Sequence, residues 1–229
     1  MERRYLREAE DRTEIPETED AIFIRFPKDT SIPNGKTVLA YFLEKLCIGE
    51  RMLSQQIVLS VKGPKKVCIT GANGIGKTTL LRKIAESMQE RTDLHVAYMP
   101  QNYEEKMDGS KTPAEFLQKK GDKEEISRIR TYLGSMKYTA DEMDHSISQL
   151  SGGQKAKLFF LKMSLDGSNV LLLDEPTRNF SPLSGPVIRR LLADFKGAVI
   201  SVSHDRKYMD EVCDTIYELT ENGLEKRKG

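Results

Sequence analysis

Nine consecutive residues, Gly71-Ala72-Asn73-Gly74-Ile75-Gly76-Lys77-Thr78-Thr79, have the form G-x-x-x-x-G-K-[ST], a pattern whose physical use is to cradle phosphate. Glycines at 71, 74 and 76 let the backbone close around phosphate oxygens. Lys77 can then reach the β- and γ-phosphates of a nucleotide, and the Thr78 hydroxyl is placed to ligate Mg²⁺. Farther along, Asp174-Glu175 ends an apolar run. Asp174 suits a role in holding Mg²⁺, directly or through water, and Glu175 one in polarising a water for attack on the γ-phosphate. Between these motifs, Leu150-Ser151-Gly152-Gly153-Gln154 precedes a helical stretch from Lys155 toward Leu165. A hydroxyl and free amides at a helix N-terminus make a second anion site.

These residues act only if the chain places them, and its patterning supplies the means. Val67-Cys68-Ile69-Thr70 reads as an apolar strand entering the glycine loop, and Leu80 to Ala85 leaves it at helical spacing. His95–Met99 predicts a strand ending at Pro100-Gln101. Val170–Leu173, Ala198–Val202 and Thr215–Leu219 predict further strands, the first two apolar enough to be buried on both faces of a parallel sheet. Helices are expected over 187–195 and 207–213. Strand and helix therefore alternate, which argues α/β. Asp174 follows a strand end, where ligands sit in open sheets of this kind.

Two insertions interrupt that alternation. Ala21–Pro27, Thr37–Leu39, Met52-Leu53 and Ile57–Val61 read as short strands joined by turns, an antiparallel sheet beside the core. Thr112-Pro113-Ala114-Glu115 has the residues of a capping box with proline at the first helical position, so a helix starts there. A second is expected over 122–133, with Ile126, Ile129 and Leu133 on one face. Residues 103 to 165 thus form a helical subdomain inserted into the core.

Composition narrows the classes available. Of 229 residues, 38% are hydrophobic and 31% charged, with a net charge of +1, which gives no overall basic field for nucleic acid or membrane. No run approaches the roughly 18 apolar residues that a spanning helix requires. Cys47, Cys68 and Cys213 lack metal-binding spacing, and Cys68 reads as a core residue in a reducing, cytosolic setting. Residues 1–20 mix acids and bases with few apolar positions; they read as a charged linker remnant before a domain over 21–229.

In order and spacing, the glycine loop, Gln101, Ser151-Gly152-Gly153-Gln154, Asp174-Glu175 and His204 resemble the motifs of ATP-binding-cassette (ABC) ATPases. The resemblance covers roughly residues 35 to 220. Ser203-His204-Asp205-Arg206 and the charged leader look like the second cassette of an ABC-F protein, a branch with two cassettes in one chain, no membrane domain and a place on the ribosome. It implies a P-loop NTPase core of the RecA-like type with an antiparallel β-subdomain and an inserted helical subdomain. The implied cofactors are ATP and Mg²⁺. Gly71 through Thr79 would hold the phosphates, Gln101 would order the metal or the lytic water, and Thr78 and Asp174 would support the metal. Glu175 would be the base, and His204 would contact the γ-phosphate. Ser151 and Gly153, with Gly152 and Gln154, would act on a nucleotide held by another cassette, in the same chain or in a homodimer. A lone copy would then turn ATP over weakly.

Two positions depart from the family pattern. Ser181 stands where a loop aspartate is usual, and Cys47–Glu50, where an aromatic side chain often stacks on adenine, contains none. The same motifs occur in the ATPase subunit of a membrane transporter, which is the alternative reading. A DNA-repair or chromosome-organising head would need a long coiled coil between the glycine loop and the signature, and the short span here leaves no room for one.

Overall fold

The computed structural model describes residues 24–27 and 30–227; the expected linker over 1–20 and the start of the strand expected at Ala21 lie outside them. Residues 24–27 themselves pair with no strand. Ile24 is buried, the Phe26 ring lies 4.5 Å from that of Phe195, and the Arg25 carbonyl accepts a hydrogen bond from Ser164 Oγ. Apolar side chains anchor this segment against helices, where no strand edge is offered.

The strands expected in the first insertion are fewer and longer than their sequence suggests. β1 (Thr37–Ile48) and β2 (Arg51–Lys62) form one antiparallel ribbon turning at Gly49-Glu50. An isolated two-stranded ribbon is marginal in water, so this one depends on packing. Leu46, Leu53, Ile57, Leu59 and Val61 face the core, and Gln55 N donates to the Glu221 carbonyl. The solvent face carries Glu44 and Lys45 and two exposed apolar partners, Phe42 opposite Val58. Those mixed side chains are why the run did not read as continuous strand.

The core sheet has six strands: β3 (Lys66–Gly71), β4 (Val96–Met99), β5 (Val170–Asp174), β6 (Ala198–Val202), β7 (Thr215–Thr220) and β8 (Gly223–Lys226). Their spatial order is β4-β5-β6-β3-β7-β8, parallel except for β8. β8 is an addition, since Thr215–Leu219 was expected to be the final strand; its exposed glutamate and lysine hide the pairing. Every residue of β5 and β6 is buried, as apolar runs covered on both faces should be.

α1 (Lys77–Ser87) covers one face of the sheet together with the ribbon. Between β4 and β5 lie α2 (Pro113–Leu117), α3 (Lys123–Ser135), α4 (Ala140–Asp144) and α5 (Gly152–Leu165). The Thr112–Glu115 capping box is formed, and Ile129 and Leu133 are buried as the periodicity predicts. α5, α6 (Gly185–Asp194) and α7 (Arg206–Val212) pack with the other face. Cys68 lies in that core and Cys213 packs against it; all three cysteines are free.

Candidate nucleotide site

Four neighbouring strands bring the motifs together. In the spatial order β4-β5-β6-β3, their C-terminal ends deliver Gln101, Asp174-Glu175, Ser203-His204 and the glycine loop, respectively. The crevice beyond those ends is where open parallel sheets bind ligands.

The glycine loop is shaped by close approach. Gly71 has φ +143, and a Cβ there would sit 2.6 Å from the Leu219 carbonyl oxygen. Gly76 has φ +99, and its Cβ would meet Leu53 Cδ1 at 2.8 Å and Leu46 Cδ2 at 2.9 Å, so any other residue would be strained in backbone and would have to push those leucine ends aside. Gly76 is also the N-cap of α1, with no side-chain cap and no acid in the first turn. The first amides of that helix therefore face outward, with the positive end of its dipole, toward an anion. By contrast α2, α4 and α5 all begin with capping boxes.

Lys77 is buried, and its ammonium donates to the carbonyls of Gly71 at 2.9 Å and Ala72 at 2.8 Å. Burial lowers its pKa, and the charges of Glu175 and Asp174 oppose that shift. Asp174 is almost wholly buried, and apart from the neighbouring Thr78 hydroxyl no group is placed to bond its carboxylate oxygens. Burial raises its pKa against the pull of Thr78, Lys77 and Arg82. A buried carboxylate so poorly partnered is costly, and a cation is what would satisfy it. The donors present, a carboxylate and a threonine hydroxyl, fit Mg²⁺, which takes hard oxygens and commonly completes its shell with water and substrate phosphate. Among the described residues no cluster of three or more His, Cys, Asp or Glu could hold a metal alone.

Glu175 is held in a left-handed backbone conformation, φ +51, just before Pro176, a strained state for a residue other than glycine. Its amide donates to the Val202 carbonyl at 2.9 Å. Its carboxylate lies 3.4 Å from Ser203 Oγ and from the His204 amide, with His204 Nε2 at 3.9 Å. Burial raises the Glu175 pKa, opposed chiefly by His204. A carboxyl poised higher than usual is suited to taking a proton. Asp205 ties this acid's loop to the next segment: Thr177 Oγ1 donates to its carboxylate, which also caps α7. Gln101 is exposed beyond β4, just before Asn102 caps the short turn Tyr103–Glu105.

Ser151, Gly152, Gly153 and Gln154 sit apart from this crevice, at the N-terminus of α5. They adjoin a cavity of about 520 Å³ that Ser151, Gly153 and Gln154 line with Lys157, Asn179 and Ser181, and no P-loop residue lines it. Ser151 Oγ accepts from the Gln154 amide. Both ends of the Gln154 side-chain amide are engaged within the chain: Oε1 accepts from Ser151 N, and Nε2 donates to Glu142 Oε1 at 2.6 Å. Gln154 thus shapes the turn, in which Ser151 and Gly152 are exposed. Ser181 Oγ accepts from Ser184 N, folding back on its own loop. Cys47–Glu50 forms the tip of the ribbon, where Ile48 and Met52 are exposed. Sequence reasoning missed Arg82, Tyr103, Glu142 and Asn179, whose partners are distant in the chain and follow no motif spacing.

A crevice of this construction defines a P-loop nucleotide-binding cassette. The family model described as "ABC transporter" matches residues 54–178, and the chain belongs to that family. Among curated relatives, ABC transporter F family member 2 of Arabidopsis thaliana is 33% identical over 88% of this chain and 30% of its own length. Ribosome protection protein VmlR of Bacillus subtilis is 29% identical over 89% of this chain and 38% of its own. The chain therefore spans about a third of the curated relatives it matches. The fold is shared with the ATP-binding cassette MJ0796, solved as a dimer bound to ADP and Pi, at a TM-score of 0.65, 20% identity, and coverage of 86% of this chain and 98% of that one.

Proposed function

We propose that this chain is an ATP-hydrolysing cassette of a cytoplasmic ABC-F-type protein that works on the ribosome, with residues 21–229 forming the cassette after a charged linker at 1–20. The observation that carries the catalytic part is the buried, poorly partnered Asp174 beside Lys77 and Thr78, with Glu175 held next to it against His204. Residues Gly71 to Thr79 bind the ATP phosphates, and Lys77 exchanges its two loop carbonyls for phosphate oxygens. Thr78, Asp174 and Gln101 would hold Mg²⁺, which would supply positive charge to neutralise the phosphates. Glu175 accepts a proton from the attacking water, while His204 contacts the γ-phosphate side.

The exposed Ser151 and the amides of Gly152 and Gly153 complete the site of a second cassette. ATP then joins two cassettes, and hydrolysis releases them. The dimeric state of MJ0796 and the ABC-F relatives support that reading. A lone chain binds ATP and turns it over weakly. Among the described residues no helix is long and apolar enough to cross a membrane.

Co-sedimentation with ribosomes tests the assignment, using the natural full-length product carrying Glu175→Gln with and without ATP. The substitution removes the proton acceptor and traps the closed pair, so pelleting should require ATP. Recovery on membranes with a permease, and none with ribosomes, would turn the assignment to a transporter subunit.

A further inference from the structure

Tyr103 lies two residues beyond Gln101 and opens the turn Tyr103–Glu105. Its ring is buried against Phe159 of α5, with centroids 5.3 Å apart, and its hydroxyl accepts a hydrogen bond from Asn179 Nδ2 at 2.9 Å. Asn179 follows the strand end that carries Glu175 by four residues, and its neighbour Phe180 packs near Phe160 of α5. The same asparagine abuts the signature loop. A Cβ on Gly152 would stand 3.4 Å from the Asn179 side-chain carbon and oxygen, and one on Gly153 would stand 3.0 Å from its carbonyl oxygen. Arg82 holds the other end of the turn to α1 through Glu105 at 2.8 Å. The segment after Gln101 is thus fastened on one side to the P-loop helix and on the other to a residue lying on the signature glycines.

We infer that Asn179 is a positioning residue that couples, within one cassette, the loop carrying Gln101 to the signature loop carrying Ser151 and Gly153. The inference rests on the ATP-dependent reading above. A nucleotide that draws Gln101 inward pulls on Tyr103. The Tyr103–Asn179 hydrogen bond then moves the asparagine, which lies so near the glycines that a Cβ on Gly153 would be tight against its carbonyl oxygen, and the Ser151 turn shifts with it. The signature serves the nucleotide of another cassette, so this bond makes one cassette's readiness to act in trans depend on its own occupancy. Coupling of this sort is tested by removing a contact and asking whether it persists, and here the Tyr103–Asn179 hydrogen bond is the polar link, beside the packing of the Tyr103 ring on Phe159.

Amide hydrogen exchange on the 229-residue chain carrying Glu175→Gln, diluted until sedimentation shows single chains both with and without Mg-ATP, reads this directly. Without further change, ATP should slow exchange in peptides covering 71–79, 101–106 and 150–155, the last by about five-fold, the equivalent of one ordinary hydrogen bond. Tyr103→Phe and Asn179→Ala should each abolish the response at 150–155 while leaving those at 71–79 and 101–106, and the ATP affinity, within about two-fold. Asn179→Asp should keep the response, because the phenol can donate to the new carboxylate, and should lose it when combined with Tyr103→Phe. A purely structural role would raise exchange at 150–155 equally with and without ATP and would not show that rescue. A response at 150–155 that survives both single variants, or is missing from the parent while 71–79 responds, overturns the inference. A parent with no ATP-dependent protection at 71–79 instead overturns the ATP reading, and the inference with it.

Discussion

Asp174 offers a test in which stability and function move in opposite directions. Its carboxylate is almost wholly buried with no close hydrogen-bond partner beyond the neighbouring Thr78 hydroxyl, and burial dominates the groups that would help it, since its pKa is raised despite Thr78, Lys77 and Arg82. Leaving a buried polar group unsatisfied costs about 1–3 kcal/mol, and more when the group is charged. Asp174→Asn keeps the shape and removes the charge, so in the absence of nucleotide it should stabilise the fold by about 2 kcal/mol. For a chain of this size that is a rise in Tm of about 4–8 °C. The sign with pH follows from the raised folded pKa. The folded state binds its proton at a higher pH than the unfolded chain, so the destabilisation is complete above the folded pKa and disappears below the unfolded one. The Tm advantage of the variant should therefore be largest near pH 7.5 and shrink as pH falls into the ordinary carboxylate range. Scanning fluorimetry across that range, repeated with Mg-ATP, reads both effects. Nucleotide should raise the parent's Tm and have little effect on the variant's. A lower Tm for the ligand-free variant at pH 7.5, or an advantage independent of pH, would refute an unpaired charge as the physics of this position.

Three further outcomes follow from the same site. Glu175→Gln should lower kcat by about 10²–10⁴ while a fluorescent ATP analogue binds within a few-fold of the parent. Because the Glu175 pKa is raised by burial, the parent's rate should fall as pH drops through a range above that of an ordinary carboxylate, and that acid limb should be missing from the variant's residual rate. Gly76→Ala forces a Cβ onto Leu46 and Leu53 at φ +99; a destabilisation of about 1–3 kcal/mol should appear as a lower denaturation midpoint with unchanged slope. Lys77→Ala removes a charged donor from the phosphates and should weaken ATP-analogue binding by about 10- to 100-fold, from the worth of a hydrogen bond to a charged group, with the secondary structure intact by circular dichroism.

The parallel core was legible because its strands are continuous apolar runs. Val170–Leu173 and Ala198–Val202 are buried on both faces, and nothing in their side chains argues against pairing. The capping box at Thr112 was legible for a similar reason: its hydrogen bonds close within four residues. The ribbon was legible as an antiparallel sheet but not in its length, because Glu44, Lys45 and Gln56 sit on its solvent side and interrupt the apolar pattern. α4 (Ala140–Asp144), a five-residue helix with one buried side chain, Met143, was not legible. At the site, residues within a motif were readable from their own spacing. Tyr103 and Asn179 were not, since 76 residues separate the two ends of their hydrogen bond and only the folded chain brings them together.

Leu46 and Leu53 lie so near Gly76 that a Cβ there would meet both, and the ribbon packs directly on the glycine loop. If the base of the nucleotide rests by the ribbon tip, near Ile48 and Met52, then both the base and the first phosphates are seated on that packed pair. Such a seat behaves as a gauge with one fixed jaw. A ligand shorter by one phosphate cannot recover the gap by sliding, so the whole difference in length emerges at the far end. There Gln101, Glu175 and His204 stand on three separate strand ends, where, on the proposed reading, the presence of the last phosphate would be registered.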